Sequence, residues 1–312
     1  MSRNVLLVSH VRREEALQAT VETARLLHAQ GIRTIMVDAE RDELGQWSSS
    51  NAVECRLSDI GVLGKDVSVH DLELAIVLGG DGTILKAAEV VREANTPLLG
   101  INLGHVGFLA ESERDGLTEA VARVVTKDYS VKERLTLDVT VEVEGKVVYS
   151  TWALNECTVE KSAAEKMLEV VVEIDERPLS SFGADGVIMS TPTGSTAYAF
   201  SAGGPVVWPG VEALLLVPLS AHALFARPLV ISPNSLMAVE VLHSSSGNGV
   251  LWCDGRRTTA LPRGARVEVR RSPDSVRLAR FRQGVFTDRL VAKFALPVQG
   301  WRGTARGTDE VL

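Results

Sequence analysis

The run Leu78-Gly79-Gly80-Asp81-Gly82-Thr83 places one carboxylate among glycines. Glycines of this kind let backbone N–H groups approach a phosphate, and the positive end of a following helix favours the anion. A carboxylate in direct contact with phosphate would repel it. Asp81 therefore suits a base that accepts a proton from a hydroxyl, or a group held near a metal ion. The alternative is a tight turn with an Asx bend. A second run, Asp185 to Tyr198, continues into Ser201-Ala202-Gly203-Gly204 and is dense in hydroxyls and small residues. Its Ser and Thr residues could cap a helix starting at Thr196. Small residues in a row also admit close packing, and a flat ring beside Ala197 and Tyr198 fits there. The third signal is Asn155-Glu156. An Asn side chain offers a donor and an acceptor, which suits an adenine edge. His10 follows the first apolar strand, a ligand-facing position. Neither the dinucleotide fingerprint GxGxxG nor the phosphate loop GxxxxGK[ST] occurs, and Pro192 to Thr196 lacks the lysine of the latter.

Alternating strand and helix patterns must position Asp81. Val5 to Val8 is a short apolar run, as in a buried parallel strand. Glu14 to Gln30 carries Ala16, Leu17, Val21, Ala24 and Leu27 on one helical stripe, with Gly31 placed as a C-terminal cap. Ile32 to Val37 is the second strand. Residues 38–70 have no clean period, and Trp47 to Asn51 reads as a loop. Leu74 to Leu78 is a strand that runs directly into Gly79, followed by a helix over Ile84 to Glu93 and a strand over Leu98 to Ile101. Such βαβ units build a parallel sheet, whose ligands bind at the carboxyl ends of its strands. Near residue 132 the period changes to two: Leu135, Leu137, Val139, Val141 and Val143 alternate with polar residues. Glu144-Gly145-Lys146 marks a hairpin turn, and similar runs continue through Val276 to Phe281. This half reads as a β-sandwich.

Composition narrows the classes. The chain has 312 residues, 45% hydrophobic and 23% charged, enough for two folded domains. A net charge of −7 and an aromatic content of 5% argue against a nucleic-acid partner. Cys55, Cys157 and Cys253 form neither a disulfide framework nor a zinc motif, and point to a reducing compartment. The first residues hold too short an apolar run for a signal peptide, and Val211 to Ile231 is interrupted by charges and prolines. The expectation is a cytoplasmic protein with no membrane partner. Residues 256–282 hold nine arginines against Glu268 and Asp274, locally +7. They form either a solvated strand face with ion pairs or an anion-attracting rim for triphosphate or polyphosphate.

Taken together, Gly79 to Thr83, Asn102-Leu103-Gly104-His105-Val106-Gly107-Phe108-Leu109, Asn155-Glu156, Gly194-Ser195-Thr196-Ala197-Tyr198 with Ser201 to Gly204, and Asp254-Gly255 stand in the order seen in NAD kinases. The resemblance covers residues 5–295. GGDGT alone is shared with phosphofructokinases and lipid kinases; its combination with GSTAY is far more specific. Lys86, His105 and Ala199-Phe200 resemble actinobacterial members. The resemblance implies an N-terminal Rossmann-like α/β domain over 1–131, completed by a returning segment at 284–312, and a C-terminal β-sandwich domain over 132–283 that binds NAD. It implies Mg²⁺-dependent phosphorylation of the 2′-hydroxyl of the adenosine ribose of NAD by ATP, with polyphosphate as a second donor, in a homodimer or homotetramer. Asp81 would be the general base and Gly82 would lie against the dinucleotide. Lys86 would face phosphate, Asn155 would read adenine, and Glu156 would contact the dinucleotide or metal. Lys166 matches a basic substrate-site position, and Asp185 would hold the nicotinamide end. Thr196, Ala197, Tyr198, Ala199, Phe200 and Ser201 would line adenine and ribose. No residue is assigned as a fixed metal ligand. Arg256 stands where many relatives carry Gln or His, so its role is open. The alternatives are a lipid or sugar kinase of the GGDGT group, disfavoured by Gly194 to Tyr198, and a non-catalytic dinucleotide sensor, disfavoured by Asp81 and Lys86.

Overall fold

Strands buried on both faces read as near-continuous apolar runs, and β1 (Asn4–Ser9) supplies one over Val5 to Val8. Val5 and Leu7 point to one side of the sheet and Leu6 and Val8 to the other, into two separate cores. The computed structural model describes residues 3–104, 107–164, 166–281 and 286–298. After β1 come α1 (Glu14–His28), β2 (Arg33–Met36), α2 (Asp38–Ser50), β3 (Ile60–Val62), β4 (Leu74–Leu78), α3 (Asp81–Val91), β5 (Leu98–Asn102), β6 (Ser112–Glu113), α4 (Leu117–Thr126) and β7 (Ser130–Arg134). Helices α1 and α4 cover one face of the sheet, with Leu17, Leu27, Val121 and Val124 in its core. Helix α3 covers the other with Ile84, Leu85, Ala88 and Val91. Glu14 and Glu15 at the start of α1 and Arg25 and His28 at its end complement the helix dipole.

The second half comprises β8 (Leu137–Val143), β9 (Lys146–Ala153), β10 (Glu156–Lys161), β11 (Leu168–Ile174), β12 (Arg177–Ala184), β13 (Gly186–Ser190), α5 (Tyr198–Ser201), β14 (Leu214–Leu219), β15 (Leu229–Ile231), β16 (Met237–Val241), β17 (Gly249–Cys253), β18 (Arg257–Leu261) and β19 (Arg266–Arg271). They form two antiparallel sheets, ordered β15-β14-β13-β10-β17-β18 and β12-β11-β16-β19-β8-β9. Alternate residues of both sheets, among them Val139, Val170, Val239 and Val267 against Val159, Met189, Leu216 and Leu251, fill the space between them. The expected α/β domain and β-sandwich are both present.

Three expectations are corrected. Trp47 to Ser50 form the last turn of α2, not a loop. The hydroxyls of Ser48, Ser49 and Ser50 bond back to the carbonyls of Gly45 and Gln46, so these polar side chains are satisfied inside the helix rather than drawing the chain into a loop. Helix α3 begins at Asp81 rather than Ile84. The chain also returns to the first sheet earlier than residue 284. β20 (Val276–Arg280) inserts between β5, parallel to it, and β7, antiparallel to it. The full strand order is β3-β2-β1-β4-β5-β20-β7. Val276 and Leu278 enter one core of this sheet and Ala279 the other, so β20 is a central strand rather than part of the sandwich. β7, which straddles the expected boundary at 131, belongs to the same sheet. Of the expected returning segment, 284, 285 and 299–312 lie outside the described residues. The rest includes α6 (Phe286–Phe294).

Helix α6 spans the two halves. Its Phe286 and Phe294 rings flank Phe108 of the first, each with centroids 5.9 Å away. Phe294 also stacks on Phe200 at 4.5 Å, and Phe286 meets Trp208 edge-on at 5.0 Å. Under it, Arg280 and Arg289 each donate to Glu111 Oε2 at 2.9 Å, and Phe281 N–H donates to Glu111 Oε1 at 3.0 Å. The Glu111 side chain is only 6% exposed. Removing one member of a buried pair leaves the other charge uncompensated. Glu111→Ala should therefore lower unfolding free energy by about 3–5 kcal/mol, measured by urea denaturation; a loss under about 1 kcal/mol would show that Arg280 finds water or another acceptor.

Candidate active site

The strand sequence of the first sheet reverses between β1 and β4, and the crevice at such a point is where open α/β sheets bind ligands. His10 N–H donates to the Leu78 carbonyl at 3.1 Å across this crevice, and His10 Nδ1 is buried with no hydrogen-bond partner among the described residues. Gly79 and Gly80 carry the chain from β4 into α3, whose first residue is Asp81. The Asp81 carboxylate accepts the backbone N–H of Phe108 at 3.0 Å and of Leu109 at 3.1 Å. A Cβ on Gly107 would run into that carboxylate, so the close approach requires glycine. Each carboxylate oxygen accepts one of these bonds and keeps a second lone-pair direction. One turn on, Lys86 Nζ sits 2.6 Å from Glu40 Oε1. Glu40 is 3% exposed and also accepts the Ser9 N–H at 2.9 Å. Lys86 is thus an anchored cation, engaged by a buried carboxylate that its sequence neighbours did not reveal.

In the sandwich half, alternation along β10 sends Cys157 and Val159 into the core and Glu156, Thr158 and Glu160 to the opposite face. The segment before them is fixed by Asp254. Its carboxylate accepts the N–H groups of Leu154 at 2.9 Å, Asn155 at 2.7 Å and Glu156 at 3.4 Å, and pairs with Arg257 at 2.8 Å. Asp254 (φ 53°) and Gly255 (φ 64°) are the central residues of the turn joining β17 to β18. Asp tolerates this left-handed backbone better than most residues. From below, Thr191 N–H donates to the Asn155 carbonyl at 2.9 Å and Ser190 Oγ at 3.1 Å. A Cβ on Gly194 would run into that same carbonyl. The GSTAY glycine is a packing necessity under Asn155.

These pieces border an open cavity of ≈ 490 Å³ lined by Asn155, Glu156, Thr158, Glu160, Tyr198, Trp252, Asp254, Gly255 and, from α3, Leu85. It joins three expected residues, Asn155, Glu156 and Tyr198, to the helix that Asp81 begins. Leu85 follows Asp81 by four positions and shares its helix face. Thr158, Glu160 and Trp252 were not anticipated, although the β10 alternation that places the first two was visible. The other expected residues lie elsewhere. Asp185 pairs with Lys161 at 2.6 Å and is about half exposed (48%). Lys166 is exposed beside Gly247. Gly82 and Ser201 are exposed, and Thr196 donates to the Thr193 carbonyl at 3.3 Å. The side chains of the run Ala197 to Ser201 diverge. The chain passes from a 3₁₀ turn over Gly194–Thr196 into the single turn α5. Successive helical side chains point in different directions: Tyr198 lines the cavity, Ala199 packs with Ile188 and Val217, and Phe200 stacks on α6. A larger cavity of ≈ 650 Å³, beside α1 and including Thr34, Cys55 and Ile60, contains none of the expected site residues.

Burial sets the cavity's electrostatics. It pushes the Glu156 carboxyl up to about 8, with the Asp254 charge adding to it and the Tyr198 N–H opposing it. Glu156 Oε2 is buried with no hydrogen-bond partner among the described residues. Burial also raises Asp254, against the pull of the Leu154 and Asn155 N–H groups and Arg257. Hydrogen bonds from Lys161, then Ser220, hold Asp185 below the usual carboxylate range. Among the described residues, no group of three His, Cys, Asp or Glu is placed to hold a metal ion, and no helix is long and apolar enough to cross a membrane.

The arginines of 256–282 do not form one rim. Arg256 and Arg257 both engage Glu89, Arg266 engages Glu173 and Glu268, Arg271 engages Glu212, Arg277 engages Glu133 and Arg280 engages Glu111. Arg256 lies in the turn before β18, and the others are distributed over β18, β19 and β20, in different sheets. Arg282, like His105, lies outside the described residues.

Residues 5–129 match the profile of the ATP-NAD kinase N-terminal domain, and residues 154–281 that of the ATP-NAD kinase C-terminal domain. The NAD kinase of Leifsonia xyli subsp. xyli is 62% identical over 301 residues, covering 96% of this chain and 97% of that protein. The chain belongs to the NAD kinase family. NAD kinase 2 of Streptomyces avermitilis is 56% identical over 305 residues, covering 97% of each chain. The crystal structure of yeast NADH kinase complexed with NADH shares the fold, with a TM-score of 0.84 at 22% identity over 97% of this chain and 90% of that one. The two NAD kinase domains meet at the cavity: Leu85 comes from the first, and Asn155, Glu156, Tyr198 and Asp254 from the second.

The folded protein keeps a proton on Glu156 up to about pH 8, whereas an ordinary glutamate loses it near 4.5. Its contribution to stability is complete below 4.5 and is lost as pH climbs through about 8. A permanently neutral Gln escapes that loss, which is on the order of a few kcal/mol. Glu156→Gln should raise Tm relative to wild type more at pH 8.5 than at pH 5.5, read by thermal unfolding of the ligand-free protein. An equal change at both values would place the carboxyl in water.

Proposed function

We propose that this chain is the kinase that transfers the γ-phosphoryl group of ATP to the 2′-hydroxyl of the adenosine ribose of NAD, giving NADP and ADP. The observation that carries the reading is the joining of two sites by α3: Asp81 in its amide cradle at the helix N-terminus, and one turn later the wall of the Asn155–Glu156 cavity. In this reading the amide donors hold the Asp81 carboxylate in a fixed orientation, and one of its lone pairs takes the hydroxyl proton as the oxygen attacks phosphorus. The P–O bond to ADP breaks as the new one forms, so the chemistry needs alignment and charge neutralisation above all. Mg²⁺ enters as part of the donor, MgATP, since triphosphate oxygens and waters supply the hard ligands it prefers. Lys86 and His10, at the crevice, are the groups available to phosphate. Asn155 reads the adenine edge, Tyr198 covers the ring, and neutral Glu156 hydrogen-bonds a ribose hydroxyl. Gly82 remains the proposed backbone contact to the dinucleotide. Lys166, Asp185, Thr196, Ala197, Ala199, Phe200 and Ser201 remain proposed substrate-side positions, of which the exposed ones would engage only through NAD reaching beyond the cavity. The domain division that fits this reading is 3–134 with 276–298 for the Asp81 half and 137–271 for the NAD-binding half.

The dispersed, neutralised arginines support ATP rather than polyphosphate as donor. A homodimer or homotetramer is supported by exposed Val147 and Val148 on the edge strand β9. A cytoplasmic location is supported by three cysteines with no disulfide, two of them buried.

A coupled assay with NAD and a donor panel tests the reaction. Asp81→Asn, nearly isosteric, should cut turnover by about 10²-fold with the fold intact; near-normal turnover at saturating substrates would remove Asp81 as the base. Asn155→Ala should weaken NAD binding by about 1–3 kcal/mol and leave ATP affinity near wild type, measured by calorimetry. Loss of ATP affinity instead would reverse the assignment of the two substrates.

A further inference from the structure

One peptide unit lies between Asp81 and the C-terminal helix. The plane joining Phe108 to Leu109 has its N–H on Asp81 Oδ1 at 3.1 Å and its C=O on Arg289 Nη1 of α6 at 2.7 Å. Hydrogen bonds at opposite ends of one amide polarise each other, and a cationic donor on the carbonyl strengthens the N–H as a donor. Arg289 is itself held in place: its Nη2 donates to Glu111 Oε2 at 2.9 Å, and Glu111 is locked by Arg280 and the Phe281 N–H. Above the same peptide, the Phe108 ring sits between Phe286 and Phe294 of α6. Those two rings also seat on Trp208 and Phe200 of the other half. We infer that α6 is a positioning element for the phosphoryl transfer: Arg289, acting through the Phe108–Leu109 peptide, fixes the orientation of the Asp81 carboxylate, and does so only while α6 is seated across both halves. This rests on the reading of Asp81 as the base.

The chemistry makes a specific demand. A loosened peptide leaves Asp81 present and accessible but misaimed, and misalignment of a reacting group lowers turnover more than it lowers substrate affinity. Arg289 lines no part of the substrate cavity. Its effect must therefore appear in kcat, and it must vanish when the carboxylate is no longer there to be aimed.

A double-mutant cycle in the full-length chain reads this directly. Arg289→Gln should lower kcat for NAD phosphorylation about 10-fold or more, with KM for NAD and for ATP within about twofold and Tm within a few degrees of wild type. Arg289→Lys, which keeps a cationic donor, should recover most of the loss. In an Asp81→Asn background the Gln substitution should lower the residual kcat by less than about twofold. Phe286→Leu, which loosens α6 without altering any charge, should show the same non-additivity and serves if the Gln variant melts early. Equal kcat losses in both backgrounds, or a loss confined to KM, would overturn the positioning role while leaving Asp81 as the base. Asp81→Asn with wild-type turnover would instead overturn the base reading itself, and this inference with it.

Discussion

The Asp254 carboxylate is the joint on which both halves of the site depend. A buried carboxylate needs compensation from several directions, and here it receives three consecutive backbone N–H groups and a guanidinium. The N–H groups belong to Leu154, Asn155 and Glu156, so satisfying the charge fixes the chain that presents the cavity's two polar residues. The guanidinium belongs to Arg257, which reaches on to Glu89 of α3 at 2.6 Å and lies over the Trp152 ring at 4.5 Å. Arg92, also from the end of α3, lies over the same ring at 4.6 Å. One buried charge thereby ties the strand that follows Asn155 to the helix that starts at Asp81. The left-handed backbone at Asp254 and Gly255 is what brings the carboxylate back over residues 154–156.

Much of this was legible in the residues because it follows short periods. The apolar runs of β1 and β4 and the glycines after Leu78 announce a ligand crevice, and the period of two along Glu156 to Glu160 already separates cavity from core. What escaped was what depends on distant pairing. Val276 to Phe281 alternates like the sandwich strands around it, and only the vacancy beside β5 decides that it belongs to the first sheet. α2 (DAERDELGQWSSS) has too few apolar residues for a strong stripe, and its serines, which read as a loop, bond back to its own backbone. The GSTAY run did not show that the side chains of Tyr198, Ala199 and Phe200 leave the single turn α5 in different directions, toward the cavity, the Ile188–Val217 cluster and α6. The nine arginines carried a misleading local charge, since carboxylates remote in sequence neutralise most of the described ones.

Charge also explains how an acidic chain can accept two anionic nucleotides. At net −7 the protein has no general field to attract them. In the proposed reading attraction is local: partial charges at the N-terminus of α3 and along the glycine backbone at residues 79–80, and one full charge, Lys86, held at the crevice by Glu40. Lys86 loses some of its pull to Glu40, but it is held in a fixed place, and a fixed donor loses less entropy on meeting phosphate than a mobile surface lysine.

The remaining difficulty is a carboxylate pair, Glu156 and Asp254, in the wall that is to receive a dinucleotide. Two ionised acids there would repel the ligand's phosphates as well as each other. The protein resolves this asymmetrically. Asp254 takes the amide donors and the arginine, which offset its charge, while Glu156 is left with the Tyr198 N–H and is pushed up to about 8. At neutral pH Glu156 is then chiefly a neutral acid, with one O–H to donate and an unpartnered Oε2 buried beside the cavity. A neutral carboxyl can hydrogen-bond a ribose hydroxyl without adding negative charge near the phosphates. The base of the proposed reaction, Asp81, is kept apart, on α3, where the Phe108 and Leu109 amides fix its orientation. The two acids proposed to touch substrate therefore sit in different settings: Glu156 is buried beside the cavity with one oxygen unpartnered among the described residues, whereas each Asp81 oxygen accepts a backbone amide, and that difference suits one to binding and the other to proton abstraction.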